Sequence, residues 1–260
     1  MEGDADRRVN EGLALPFSGW DFSPIATRRR EGTPPWDYAA LLRERIRPDT
    51  TLVDLGTGGG EFLASLAPLP RNSFATEGYP PNLPVAQRRL APLGVRVLPV
   101  GADLRIPLPD RSVDLVADRH EAFSAPEVFR VLRPGGWFLT QQVGSENHRE
   151  LLEELGPPET SADGAHRDPP TNRVGNVTEL ADEIATSGLE VRDRREAMYS
   201  TEFLDVGAVA FYLRAIPWEV PEFSLERYRA PLHRIDREIQ RTGSFRVTDH
   251  RLLVVAQRPE

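Results

Sequence analysis

The chain has 260 residues, a length typical of one α/β domain with additions. Its formal net charge of −8 argues against a surface devoted to nucleic acid. The absence of cysteine excludes disulfides, thiolate nucleophiles and cysteine-ligated metals, and the absence of lysine excludes a lysine base or Schiff base. No apolar run approaches the roughly 20 residues of a membrane span. The acidic start lacks the apolar region of a signal peptide, so we expect a cytoplasmic protein that does not bind membranes.

Residues 1–35 form a polar segment that contains four prolines and an aromatic stretch at 15–23. This segment is expected either to pack its aromatic side chains on the surface of the domain or to act as a flap over a cofactor or substrate. The main domain is expected to occupy residues 36–260, beginning with a helix at 36–46.

The chain is organised around residues 51–61, with the sequence TLVDLGTGGGE. The apolar run predicts a buried strand, and the apolar spacing of Phe62, Leu63 and Leu66 predicts a helix directly after the glycines. A strand that turns into a helix in this way gathers free backbone N–H groups at a positive helix end. The spacing differs from the G-x-G-x-x-G of dinucleotide folds, and no Gly-Lys-Ser/Thr follows, as a P-loop would require.

The segment V-D-L-G-T-G-G-G-E resembles motif I of the class I S-adenosylmethionine (SAM)-dependent methyltransferases. In that family the glycine turn passes under the methionine part of the cofactor. The resemblance implies SAM as cofactor and an α/β fold, with a Rossmann-like, seven-stranded, mostly parallel sheet covered by helices on both faces. The cofactor-binding residues that it implies in this motif are Asp54, Leu55, Gly56, Thr57, Gly58, Gly59 and Glu61.

The second predicted strand, at 72–76, ends at Glu77 and Gly78. Glu77 lies 23 positions after Asp54, close to the interval expected for an acid that binds ribose at the tip of the second strand. A carboxylate there can accept hydrogen bonds from both ribose hydroxyls. The alternative is a surface glutamate at the start of a loop.

A third strand is predicted at 95–100, followed by Gly-Ala-Asp-Leu. This stretch resembles the methyltransferase segment G-D-A-x-x-L-P, whose aspartate meets the adenine amino group. The resemblance implies that Asp103 contacts adenine and that Ala102 and Leu104 lie beside the ring. The alternative role for Asp103 is to cap the next element.

The fourth strand, at 112–118, resembles the F-D-L-V strand of the same family. In open α/β sheets the ligand lies beyond the carboxyl ends of the strands, so residues 118–123 are expected to face the reacting methyl group. The R-P-G-G-x-F stretch at 133–138 resembles the family's turn into the fifth strand. The four matched segments run in order from 51 to 143.

His120 is the predicted catalytic base, because the unperturbed pKa of histidine lies near neutrality. Glu121 is expected to orient His120 or to accept the proton itself. Arg119 is expected to bind a carboxylate of the substrate or of the cofactor's methionine tail, and Asp118 is also predicted to contact the cofactor. The alternative for His120 is a structural histidine that caps the following helix.

Helices are predicted at 145–155 and 177–187, a long loop at 156–176, and a strand at 189–199. Residues 202–241 carry two helical patterns where the family has a hairpin between its last two strands. We predict a helical lid over the strand ends, with packing on the flank of the domain as the alternative. The predicted substrate-binding residues are Trp20, Phe123, Gln142, Tyr212 and Trp218.

The other histidines stand at no metal-ligand spacing, so we expect no metal site and structural roles for His148, His166, His233 and His250.

Together these features imply a SAM-dependent methyltransferase that acts on an oxygen, nitrogen or carbon atom of a small molecule and releases S-adenosylhomocysteine. The Asp/Asn-Pro-Pro-Tyr motif of many enzymes that methylate amino nitrogens is absent after the fourth strand. Three alternatives remain. The first is an rRNA or tRNA methyltransferase that uses arginines at 28–30 and 192–195. The second is a SAM-consuming lyase or cyclase, and the third is a SAM-binding protein without catalysis.

Overall fold

The computed structural model describes residues 2–156, 173–220 and 223–260. The strands are β1 (Arg29–Arg30), β2 (Thr51–Leu55), β3 (Asn72–Glu77), β4 (Arg96–Pro99), β5 (Val113–Arg119), β6 (Leu132–Gly144), β7 (Arg173–Val174), β8 (Glu190–Phe203) and β9 (Phe245–Gln257). The helices are α1 (Glu2–Ala14), α2 (Tyr38–Arg43), α3 (Glu61–Ser65), α4 (Leu83–Leu90), α5 (Ala125–Val131), α6 (Arg149–Leu155), α7 (Val177–Thr186), α8 (Val206–Ala215) and α9 (Leu225–Thr242). Most of the predicted long loop lies outside the described residues.

The strands form one sheet in the order β1-β8-β9-β6-β5-β2-β3-β4, with β7 beside β6. Pairing is parallel from β4 through β6, and β9 runs antiparallel to both β6 and β8. The predicted α/β architecture with a mostly parallel sheet is therefore confirmed. The predicted count of seven strands is corrected to nine in the described chain. The two additional strands, β1 and β7, are two-residue pairings, too short to give a period-2 signal in the sequence.

The sheet separates two apolar cores, because successive residues of a strand point to opposite faces. On one face Val53 packs in a cluster with residues of α5 and α7. On the other face Leu52 packs with residues of α2, α3 and α4. The strand β2 is buried at all five positions, which explains its nearly continuous apolar sequence.

A third apolar core lies outside these two layers, among α1, α6, α8, α9 and the adjoining ends of β8 and β9. It is built around buried side chains such as Val9, Ile25 and Phe211. The predicted insertion between the last two strands thus forms a structure with its own core, together with the N-terminal segment. We call this structure the cap and define it as residues 2–28, 204–220 and 223–244.

Polar contacts also join the N-terminal segment to the insertion. The guanidinium of Arg214 on α8 donates to the carbonyl oxygens of Leu13 and Leu15. Ion pairs link the same two parts of the chain, among them Arg8 with Asp236 at 2.6 Å and Arg28 with Asp205, and Nε2 of His233 lies 2.7 Å from the carboxylate of Asp6. The two segments, far apart in sequence, therefore pack as one unit.

Several helix starts in the described chain carry side-chain caps. Asp37 accepts from the backbone N–H of Ala40, and Asp205 accepts from that of Ala208. No described helix combines the length and apolar character that crossing a bilayer requires.

The contact between α1 and α8 depends on two glycines, and it yields a stability prediction. A Cβ added to Gly12 would lie 2.0 Å from the carbonyl oxygen of Gly207, whereas one added to Gly3, also on α1, would have no atom within 4 Å. We expect Gly12→Ala to lower the free energy of unfolding by about 1–3 kcal/mol through overpacking. Gly3→Ala, the control, should be neutral or slightly stabilising because alanine favours helix. Urea denaturation measures both, and equal stability of the two variants would contradict the packing described.

Candidate active site

The turn after β2 carries the glycines that the sequence singled out. Gly56, Gly58 and Gly60 all have positive φ, at 58°, 60° and 81°. A Cβ added to Gly56 would lie 2.2 Å from the side chain of Glu121, so both conformation and space require glycine there. The turn is fastened by the N–H of Thr57, which donates to the carbonyl oxygen of Thr76 at 2.9 Å.

Glu77 ends β3 beside this turn, as the sequence predicts. Its side chain is buried, and one carboxylate oxygen accepts from the N–H of Tyr79 at 2.6 Å. Burial raises the pKa of this carboxyl, while hydrogen bonds from the backbone of Tyr79 and Gly58 oppose the rise. The carboxylate therefore stands between the tip of β3 and the glycine turn.

A crevice of about 290 Å³ opens at the carboxyl ends of the parallel strands. Its lining comes from the residues that follow four strands: Leu55, Gly56, Thr76, Gly78, Val100, Gly101, Ala102, Leu104, Ile106, Glu121, Ala122, Phe123 and Ser124. Phe123, predicted to bind substrate, instead lines this crevice and packs against Phe138 with ring centroids 5.0 Å apart. Asp103 is exposed beside the crevice and accepts from the N–H of Arg105 at 3.3 Å.

The rest of the glycine turn is covered by the cap. A Cβ added to Gly19 would lie 2.9 Å from the Cα of Gly59, and one added to Gly58 would lie 3.4 Å from the Cβ of Trp20. The carboxylate of Glu61 also lies beside Gly19 and Gly59, and it pairs with Arg89. The N-terminal segment thus lies directly on the turn, as a flap would, although flap motion stays a prediction.

Two buried polar groups of the turn suit a bound ligand. Burial raises the pKa of Asp54 to about 7. The hydroxyl of Thr57 lies near that carboxyl but is buried without a hydrogen bond of normal geometry to any described residue. A buried polar atom left without a partner is unusual in a native protein. The Thr57 hydroxyl beside Asp54 and the crevice that Gly56 lines both fit a polar ligand at the turn.

The loop after β5 is fixed by Asp118, whose side chain is fully buried. Its carboxylate accepts from the N–H of Glu121 at 3.2 Å and from the amide of Gln142 at 3.1 Å. Gln142 also donates to the carbonyl oxygen of Glu121 at 2.9 Å. Gln142, predicted to bind substrate, lies among the residues that hold this loop and lines neither the crevice nor the pocket described next.

A second cavity, of about 120 Å³, lies between the cap and the strand ends, and we call it the pocket. Arg119 and His120 line the pocket, whereas the next four residues line the crevice. The guanidinium of Arg119 lies 4.8 Å from the ring centroid of Phe62. The loop therefore separates the two cavities and presents side chains to both.

Aromatic side chains form the cap side of the pocket. Trp20 and Trp218 stack with centroids 5.7 Å apart and planes inclined by 13°. Tyr212 and Phe22 lie beside them, with centroids 5.7 Å apart. Three of the predicted substrate-binding residues, Trp20, Tyr212 and Trp218, are thus brought together in one wall.

Residues 53–140 match the family model for a methyltransferase domain. An uncharacterised methyltransferase of Schizosaccharomyces pombe is 30% identical over 115 residues, which cover 38% of this chain and 44% of that protein. The chain thus spans under half of this curated relative. The part of the chain at 53–140 is therefore similar to a methyltransferase domain.

Solved structures with the same fold are more distant in sequence. A Bacillus halodurans protein suggested to be a methyltransferase has a TM-score of 0.60 at 17% identity, covering 86% of this chain and 99% of that one. The YcgJ protein of Bacillus subtilis gives 0.56 at 18%, covering 85% and 98%. The [4+2]-cyclase SpnF gives 0.53 at 15%, covering 98% and 92%. At these identities the likeness concerns the fold of the methyltransferase domain.

His120 is held by a short chain of hydrogen bonds. The indole N–H of Trp36 can only donate, and it donates to the amide oxygen of Gln141 at 2.8 Å. The amide nitrogen of Gln141 therefore donates to Nε2 of His120 at 3.1 Å. Burial, with Arg251 and Arg119 nearby, holds the pKa of His120 well below its ordinary value. His120 is therefore a neutral imidazole whose accepting nitrogen is already in use, which disfavours the predicted role as base.

His148, expected to be structural, lines the pocket of the methyltransferase domain. Its Nδ1 lies 3.2 Å from the carboxylate of Glu219 in the cap, and its Nε2 lies 3.6 Å from that of Asp249 on β9. Burial opposes the protonated form of His148, but the two carboxylates outweigh burial and raise its pKa. In open α/β sheets the ligand lies beyond the carboxyl ends of the strands. This rule, which we applied to the fourth predicted strand, could also have located His148, because His148 follows the end of β6.

The histidine–carboxylate contact gives a pH prediction. Because the pKa of His148 is raised on folding, the stabilisation from Glu219 is fully present below the ordinary histidine value of about 6.5. It is lost as the pH rises through the folded pKa. Asp249 and Tyr212 also face the ring, and Glu219→Gln removes only the charge from the cap side. We expect histidine NMR titrations to show a His148 pKa above 6.5 that falls in Glu219→Gln.

Denaturation at several pH values checks the direction in which the stabilisation by Glu219 changes with pH. The stability lost in Glu219→Gln should be larger in acid than above the folded pKa of His148. A loss that does not vary with pH would show that the pair carries no charge interaction.

Proposed function

We propose that this protein is a SAM-dependent methyltransferase that methylates a small molecule and releases S-adenosylhomocysteine. The observation that carries the proposal is the pair of cavities on the two sides of residues 119–124. One is a crevice bounded by the family's motif residues, and the other is a pocket roofed by aromatic side chains. A cofactor in the crevice and an acceptor in the pocket would therefore approach each other across this loop.

The residues fit the cofactor as follows. Glu77 would accept from the ribose hydroxyls, and Gly78, Ala102 and Leu104 would surround the adenine together with Phe123. The glycine turn and Thr57 would receive the amino-acid part. SAM supplies an electrophilic methyl group on a sulfonium.

The chain contributes positioning and the exclusion of water, which account for much of the barrier reduction in such a displacement. Trp20, Tyr212 and Trp218 would hold a planar or apolar acceptor under the cap. Arg119 would bind an anionic group of the acceptor or of the cofactor. His120 would donate a hydrogen bond from Nδ1, and Glu121 would contact the cofactor, since its side chain lies against Gly56.

Ion pairing argues against an RNA substrate. Arg28, Arg29 and Arg30 each have a carboxylate partner, in Asp205, Glu31 and Glu202 respectively. Arg192 and Arg195 pair with Glu190 and Asp193. Arginines engaged in this way, on a chain of net charge −8, offer a poor surface for phosphates. A cytoplasmic enzyme of small-molecule metabolism is the proposal that remains.

The structural similarity to SpnF supports a second candidate function. SpnF, which shares the fold, is described as a [4+2]-cyclase, so this architecture also accommodates a reaction other than methyl transfer. The same pocket would then hold a molecule that rearranges without receiving a methyl group.

Cofactor binding is tested by calorimetry with S-adenosylhomocysteine. Glu77→Gln should weaken binding by roughly 1–3 kcal/mol, because a ribose hydroxyl is left without a charged acceptor. Glu190→Gln, an exposed glutamate at the start of β8, serves as the matched control and should bind as wild type does. Equal binding by both variants would remove Glu77 from the site, and no binding by wild type would remove the cofactor.

The type of reaction is tested by incubating the protein with SAM and extracts of small metabolites. Methyl transfer predicts S-adenosylhomocysteine and a methylated acceptor that appear together. Methylthioadenosine formed from SAM alone would instead indicate a lyase or cyclase acting on the cofactor. An acceptor converted without consumption of SAM would favour the cyclase-like alternative.

A further inference from the structure

The pocket contains two histidines, and both are held in backbone conformations that residues other than glycine seldom adopt. The φ angles are 67° at His120 and 56° at His148. Such conformations are strained and tend to occur at functional sites. The two rings differ in their hydrogen bonds, and this difference shows which ring can take a proton from an acceptor.

The ring of His148 is anchored on one side and open on the other. Its Nδ1 lies 3.2 Å from Glu219, 3.0 Å from the amide of Asn147 and 3.4 Å from the hydroxyl of Tyr212. Nε2 lies 3.6 Å from Asp249, beyond hydrogen-bonding distance. This contact is longer than the one between Nδ1 and Glu219, and His148 lines the pocket, so Nε2 is the ring nitrogen that an acceptor in the pocket would approach. The accepting nitrogen of His120, by contrast, is occupied by Gln141.

The neighbours of His148 are fixed in turn. Asp249 accepts from the hydroxyl of Thr201 at 2.6 Å and from Arg251 at 3.0 Å. The backbone N–H of His148 donates to the carbonyl oxygen of Thr248 at 2.7 Å. A histidine held by carboxylates in this way keeps its ring oriented and can carry a positive charge in a buried position.

The charges around the pocket favour an anion rather than an ammonium group. Its lining has three arginines and three carboxylates, so an imidazolium at His148 makes the sum positive. The charged residues are Arg29, Arg119, Arg251, Glu31, Glu219 and Asp249. An acceptor oxyanion would be stabilised there, whereas the positive charge of an ammonium group would be repelled by this field.

From this geometry we infer that His148 is the base of the proposed methyltransferase reaction and that the acceptor is an acidic hydroxyl compound, a phenol or an enol. This inference rests on the proposed function. The O–H bond of the acceptor breaks, its electron pair stays on oxygen, and the proton forms an N–H bond at Nε2. The oxyanion then faces the imidazolium, whose charge Glu219 and Asp249 stabilise.

The probe for this inference is 4-nitrophenol, because its phenolate is yellow and its neutral form is not. The protein is saturated with S-adenosylhomocysteine, and the probe is added over a pH range that spans the ionisation of both the free probe and His148. Visible absorbance reports the ionised fraction, and calorimetry reports binding. We expect wild type to bind the probe as phenolate. In His148→Gln the ionised fraction of bound probe should fall about tenfold, which corresponds to one pKa unit.

Two further variants keep the result interpretable. His233→Gln removes a histidine that also pairs with a carboxylate but lies in the cap core, away from the pocket, and it should leave the colour unchanged. Glu219→Gln keeps the imidazole and should lower the ionised fraction part of the way, so it decides the matter if His148→Gln does not fold.

Several outcomes would overturn the inference. These are a bound probe that stays neutral in wild type, undiminished colour in both pocket variants, and failure of the probe to bind while S-adenosylhomocysteine does bind. Failure of S-adenosylhomocysteine itself to bind would instead count against the proposed function. The probe measured without cofactor would then still decide the role of His148.

Discussion

The buried carboxylate of Asp118 is the constraint on which both cavities depend. It has no exposed surface, and burial raises its pKa well above the ordinary value. The hydrogen-bond donors around this side chain therefore replace the water that it loses on folding. Those donors are the N–H of Glu121 and the amide of Gln142. Tyr38 adds its hydroxyl between the ends of β5 and β6, 2.9 Å from the carbonyl oxygens of Asp118 and Leu139. These bonds fix a loop that serves the crevice on one side and the pocket on the other.

The cap covers the carboxyl ends of the strands, and the pocket lies between the cap and these ends. Its own apolar core fixes its shape, and Glu219 and Tyr212 contact His148 across the pocket. The contact between Glu219 and His148 therefore joins the cap to the strand ends and also raises the pKa of His148. The stacked pair of Trp20 and Trp218 connects the N-terminal segment to the insertion in the wall of the pocket.

The order of elements from β2 to β6 and the crevice at the ends of these strands could be predicted from the sequence, because glycine turns, strand ends and apolar runs are local signals. Of the predicted substrate-binding residues, Trp20, Tyr212 and Trp218 share one wall of the pocket, and their role in binding stays a prediction. Phe123 and Gln142 are placed elsewhere, since their contacts with Phe138 and Asp118 come from tertiary packing. The close packing of α1 on α8 through Gly12 and Gly207 has no local signal either, because the two residues lie far apart in the sequence.

The two pocket histidines show why position along the chain alone does not identify a base. His120 follows the fourth strand, where the family resemblance directs attention, yet a donor from Gln141 occupies its accepting nitrogen and burial keeps it neutral. His148 follows the next strand, where two carboxylates favour its protonated form. A base works best when its pKa lies near the working pH, and carboxylates that offset the effect of burial move a buried imidazole toward that value. The electrostatic surroundings, which only the folded chain creates, thus distinguish two residues that look alike in the sequence.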